Sequence, residues 1–145
     1  MTSHRSMHRS AGFSLIEIII VITIIGLIVG WAATNIFGKQ DQAQWRVARS
    51  QITQLGATLD QYKLDTGRYP TTQEGLKALI QQPSGVTNWV GPYVKNADAL
   101  KDPWKNELVY RSPGSDNRPY EIVSLGSDGQ EGGDAIPNKD IKSWE

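Results

Sequence analysis

The sequence contains no cysteine. That removes disulfide bridging, a thiol nucleophile and a thiolate metal site, and it leaves the compartment open. The two histidines, His4 and His8, lie close together near the start of the chain. The patterns G-x-S-x-G, H-E-x-x-H and the P-loop do not occur, so the common hydrolase, zinc-protease and nucleotide frameworks have no foothold. Asp116 and Glu121 flank a turn and are read as solvating it, not as a catalytic carboxylate pair. The residues therefore argue against an enzyme. Lys plus Arg equals Asp plus Glu at 15 each, so bulk charge points to no nucleic-acid partner. No proline falls between Phe13 and Tyr69, which leaves a long stretch free to form one helix.

What is present is an apolar run from Phe13 to Ala33, 21 residues whose one charge is Glu17. At ~1.5 Å rise per residue it spans about 31 Å, the thickness of a bilayer core. Trp31 near its far end suits a membrane interface. A cleaved secretory signal is the rival reading, but the run is too long for one and no A-x-A-like site follows. Arg5 and Arg9 on one flank face Lys39, Arg46 and Arg49, offset by Asp41, on the other. That near balance leaves orientation open. About 110 residues remain outside the membrane, enough for one domain with a thin core.

Beyond the apolar run the helical pattern continues. Ala48, Ile52, Leu55, Leu59 and Tyr62 recur at spacings of three and four, one apolar stripe of an amphipathic helix. The spacing predicts a single helix over about 14–64, some 75 Å at ~1.5 Å per residue, half in lipid and half packed on a domain. Asp65-Thr66-Gly67 ends it. Thr71 and Glu74 fit a capping box, which predicts a short helix over 72–81 that Pro83 stops. Residues 91–106 read as a packed loop anchored by Tyr93 and Trp104. Strands are expected at 107–112 and 120–126 across a turn. The fold class is α+β, a long N-terminal helix on a small antiparallel sheet. Trp89, Tyr93, Trp104, Tyr110 and Tyr120 are read as core and loop anchors, since aromatics carry much of the burial in a thin domain.

Glu17 needs a reason. An acid at a bilayer centre costs about 2.5–3.5 kcal/mol, less near an interface. A cut after Gly12 would turn the nitrogen of Phe13 into a cation, one helical turn from Glu17. Pairing within a chain and pairing between neighbouring chains both fit, and so does an acid that reaches back to the headgroups.

The second candidate is the stretch "SLGSDGQEGGDAIPNKDIKSW". It carries Asp128, Glu131, Asp134 and Asp140, with glycines at 126, 129, 132 and 133. A loop so rich in glycine is costly to order. A hard cation such as calcium would offset that through carboxylates and carbonyls, although the EF-hand pattern is absent. A solvated acidic loop fits equally well.

The stretch "GFSLIEIIIVITIIGLIVG" resembles the leader junction and first helix of type IV pilins and type II secretion pseudopilins. "RYPTTQEGLKALIQQP", "WVGPYV", "DPW" and "SLGSDGQEGG" resemble, in that order, the major-pseudopilin family of type II secretion systems. The resemblance implies a pilin-like fold, with a cytoplasmic leader at 1–12, a membrane helix at 13–33, its periplasmic continuation at 34–64 and a globular domain at 65–145. It implies cleavage after Gly12 by a prepilin peptidase, methylation of the Phe13 amine, and a role for Glu17 in assembly. It implies a helical homopolymer working with minor pseudopilins and an inner-membrane assembly platform with its ATPase. It also implies calcium in a loop at about 125–140. Asp128 and Asp134 would give carboxylates, Leu125 and Gln130 backbone oxygens, and Asn138 or Asp140 would complete the shell. The family usually has an acid-rich run where this chain reads "AIPNKDI", and a glycine where it has Lys105, which questions the local turn. Type IV pilus subunits commonly close their C-terminal region with a cysteine pair that this chain lacks. Such a subunit, and a monomeric membrane-anchored binding domain, are the rival functions.

Overall fold

The computed structural model describes residues 13–145, and of residues 33–38 the backbone alone. Helix α1 spans Leu15–Thr66. Its first turn starts at Ser14, whose carbonyl accepts from the Glu17 and Ile18 N–H groups at 3.0 and 3.3 Å. Its end is set by Gly67, which takes φ +83° and donates its N–H to the Lys63 carbonyl at 2.8 Å. That is a left-handed cap open to glycine at little cost. Between Gly38 and Lys39 the chain divides into two compact units.

The core belongs to the second unit. Along α1, Ala48, Ile52, Leu55, Leu59 and Tyr62 are each 4% exposed or less, so the predicted stripe is the buried face. They meet Leu76, Ala78, Leu79 and Leu108, and the sheet residues Tyr110, Ile122 and Ile141. Trp89, Tyr93, Trp104 and Tyr120 pack around this cluster. The Trp89 Nε1–H donates to the Ala78 carbonyl at 2.9 Å, so its polar edge is satisfied as its ring packs.

Three short strands form one antiparallel sheet among the described residues: β1 Val109–Arg111, β2 Glu121–Ser124 and β3 Ile141–Lys142, in that order. Tyr110 lies opposite Ile122 and Ser124 opposite Ile141, and these four form the inner face by the two-residue alternation of a strand. β1 and β2 fall inside the predicted spans and are shorter. β3 is an addition, as is a 3₁₀ turn at Ala97–Leu100 inside the expected loop, capped by the Asn96 side chain.

Two readings are corrected. The helix expected over 72–81 is a turn followed by a 3₁₀ helix at Leu76–Leu79. The capping box does form, with the Thr71 N–H on Glu74 Oε2 at 2.7 Å and the Glu74 N–H on Thr71 Oγ1 at 3.3 Å. Gly75 then takes φ +60° and breaks the α-helical path before a second turn is made. Glu121 does not solvate its turn: it is 3% exposed. Its carboxylate accepts from the Ser115 N–H and hydroxyl and from Arg118. The Ser115 hydroxyl first, against the opposing cost of burial, holds its pKa below the ordinary carboxylate value.

Candidate functional site

Two regions carry the predicted residues. In the first, the window Leu15–Ala32 has a mean hydropathy of 2.7 and none of it is buried. It is long and apolar enough to cross a membrane. Thr23 is satisfied inside the helix, its hydroxyl donating to the Ile19 carbonyl at 2.7 Å, as a polar side chain in lipid requires. Glu17 lies in the first turn of α1, where the helix dipole favours negative charge. Phe13 precedes the helix and is 79% exposed. Gly12 lies outside the described residues. In the uncut chain the nitrogen of Phe13 is a neutral amide, so the ion pair read from the sequence requires the cut first.

The second region is the link between β2 and β3, where glycine turns fold the chain back on itself. The Ser127 N–H donates to the Pro137 carbonyl at 3.0 Å, and its hydroxyl to Asn138 Oδ1 at 3.1 Å. Gly126 has φ +66°, and a Cβ there would sit 2.8 Å from the Asn138 carbonyl. Only glycine fits that approach. Farther along, the Gly132 N–H donates to Asp140 Oδ2 at 3.0 Å, and the Asp140 N–H returns to the Gly132 carbonyl at 3.2 Å. Asp128 Oδ1 accepts from the Gln130 N–H at 3.2 Å. Leu125 and Asp140 line one 240 Å³ cavity on the outer side of the sheet. In that cavity Glu131 is engaged by Arg111 at 3.3 Å.

The structure thus joins Leu125 with Asp140, and the Gly126–Ser127 turn with Asn138. Asp128, Gln130 and Asp134 are exposed on the loop surface. Among the described residues no three acidic, histidine or cysteine side chains converge on a point, so three carboxylates do not close on one centre. What fits a hard cation is different: Asp140 Oδ1 is buried without a hydrogen-bond partner, on a residue that both backbone groups of Gly132 hold in place. Oxygen donors of this kind are the chemistry calcium takes.

Two residues of this region escaped the sequence reading. Asp102 is 2% exposed and organises the turn through Asn106, whose side-chain Nδ2–H reaches the Gly126 carbonyl at 2.8 Å. The Asp-Pro pair marks a turn, but nothing local shows that it touches the glycine loop. Lys105, in the same turn, has φ +75°. The turn survives without glycine, in a conformation that costs a side chain about 1 kcal/mol.

The family described as type II secretion system (T2SS), protein G matches residues 35–144, and the prokaryotic N-terminal methylation motif matches residues 7–33. The type II secretion system core protein G of Pseudomonas aeruginosa is 39% identical over 141 residues, covering 94% of this chain and 96% of that protein. Its counterpart from Vibrio cholerae is 38% identical, covering 97% and 95%. The crystal structure of the major pseudopilin from the type 2 secretion system of enterohaemorrhagic Escherichia coli superposes with a TM-score of 0.62 at 32% identity, over 76% of this chain and 94% of that one.

Proposed function

The chain belongs to the type II secretion system protein G family, and from that membership we propose that it is a structural subunit which polymerises into the periplasmic pseudopilus and drives export of folded proteins. A prepilin peptidase cuts after Gly12 and the Phe13 amine is methylated. The subunit waits in the inner membrane on a single span, with residues from 34 onward in the periplasm. An assembly platform with its ATPase extracts it into the filament, which minor pseudopilins accompany.

The observation that carries this reading is the wholly exposed apolar span with one acid in its first turn. Moving such a span from lipid onto neighbouring helices gains little hydrophobic energy, so packing and polar pairs must decide the register. The Glu17 carboxylate with the Phe13 amine of a neighbouring subunit is the pair available.

Calcium belongs to the same proposal. Leu125 and Gln130 would offer backbone oxygens and Asp140, with Asn138 two residues before it, the oxygen that lacks a partner. Asp128 and Asp134, exposed on the loop surface, would have to close onto the ion for their carboxylates to join it. The bound ion would supply positive charge to an acidic loop and join its two ends.

The test is mass spectrometry of the chain recovered from membranes, with electron microscopy after overproduction and an export assay in a deletion strain. A chain starting at methylated Phe13, filaments built from it, and lost export are expected. A chain that starts at Met1, remains monomeric and is dispensable for export would overturn the proposal.

A further inference from the structure

Asp102 is a buried carboxylate outside the loop that the calcium reading uses. Its Oδ1 accepts from the N–H groups of Trp104 and Asn106 at 3.0 and 2.9 Å. Its Oδ2 accepts the Ser124 hydroxyl at 2.7 Å, and Ser124 is fully buried. The backbone closes the same ring, with the Asp102 N–H on the Asn106 carbonyl and the Lys105 N–H on the Asp102 carbonyl, both at 2.9 Å. The turn 102–106 is therefore rigid at both ends.

From that turn two arms reach the strand that feeds the loop. One is the Asp102 carboxylate on Ser124, the last residue of β2. The other is Asn106 Nδ2 on the Gly126 carbonyl at 2.8 Å. The Asn106 amide also lies against Gly129, where a Cβ would stand 3.4 Å from its Oδ1. The two anchors bracket Leu125. A residue held on both sides cannot rotate its carbonyl freely, so the turn fixes where that oxygen points.

We propose that Asp102 and Asn106 are positioning residues for the cation site: acting through Ser124 and Gly126, they aim the Leu125 carbonyl and set the affinity of the loop for calcium. The inference rests on the calcium reading above. Without the bracket the loop would have to order its own glycines on binding, and that entropy would be drawn from affinity.

The experiment is a calcium chloride titration, by calorimetry, of the full chain in detergent micelles, with thermal melting in a chelator run alongside. Asn106→Ala removes one arm and Asp102→Ala releases both. Each is expected to weaken calcium binding about tenfold or more, at a temperature where the fold is intact. Asp102→Asn keeps an oxygen for the two N–H groups and lets Ser124 reverse its hydroxyl, so it should bind within about threefold of the parent. A merely structural role would lower the melting midpoint in chelator and leave Kd unchanged, and that result overturns the proposal. If Asp102→Ala fails to fold, Asn106→Ala decides. A parent chain that shows no calcium binding refutes the calcium reading and this inference with it. Binding by the parent with equal affinity in Asn106→Ala refutes the inference alone.

Discussion

The guanidinium of Arg68 holds both oxygens of Glu74, Nη1 to Oε2 and Nη2 to Oε1, each at 2.7 Å. The pair joins the end of α1 to the capping box, because the same Oε2 accepts from the Thr71 N–H. Arg68 first, against some cost of burial, brings the Glu74 pKa down from 4.5 to about 2. A depressed carboxylate pKa means stability that is fully present above the ordinary value and is lost as pH falls towards about 2. Glu74→Gln keeps the capping bond and loses the ion pair. Since the Arg68 side chain is 43% exposed, water screens it, and a loss of about 1 kcal/mol is expected. The melting midpoint should fall by about 5 °C at pH 7. The gap between parent and variant should close as pH is lowered through that window. An equal gap at acid pH would refute the assignment.

Lys105 tests the opposite sign. Its φ of +75° is a conformation glycine takes freely and a lysine resists. Lys105→Gly should stabilise the fold by up to about 0.5 kcal/mol, the strain relief exceeding the entropy that glycine adds to the unfolded chain. A drop in the midpoint would mean the lysine stem contributes packing that outweighs its backbone.

Glu17→Ala separates processing from assembly. If Glu17 serves assembly and not the cut proposed after Gly12, mature chain should accumulate at the parent level. Without the acid the neighbouring Phe13 amine has no partner in lipid, and filaments should be absent by electron microscopy. Filaments of normal number and length would remove Glu17 from assembly.

Calcium is examined through Asp128→Ala. For the parent chain in micelles, the ion at ~100-fold over its Kd should add about 2.7 kcal/mol and raise the midpoint by roughly ten degrees relative to chelator. In the variant most of that difference should vanish. A parent midpoint that chelator does not move would return the loop to a solvated acidic segment.

The long helix was legible because its signal is dense. Ala48, Ile52, Leu55, Leu59 and Tyr62 repeat over several turns, and no proline interrupts them. β3 was not legible, because Ile141–Lys142 is two residues long and a strand's alternation needs more than that to register. The short helix failed on one residue: Gly75 looks harmless after a good capping box, yet its positive φ diverts the chain. Glu121 was misread for a similar reason, since its burial depends on Ser115 and Arg118 closing over it. The candidate loop was visible as composition, but its organiser was not. Asp102 meets Ser124 across 22 positions of sequence, and no local pattern predicts such a contact.

Helix α1 carries two kinds of stability in one backbone. The stripe from Ala48 to Tyr62 is helical because it packs, whereas Leu15–Ala32 buries nothing and in hydrocarbon would stay helical for lack of water to compete for its peptide groups. Urea added to the chain in micelles should therefore melt the unit Lys39–Glu145 and spare the span. Far-ultraviolet ellipticity will settle on a helical plateau well short of a coil baseline. The denaturant slope will report the surface of that unit alone, so a slope scaled to the whole chain would misstate its stability.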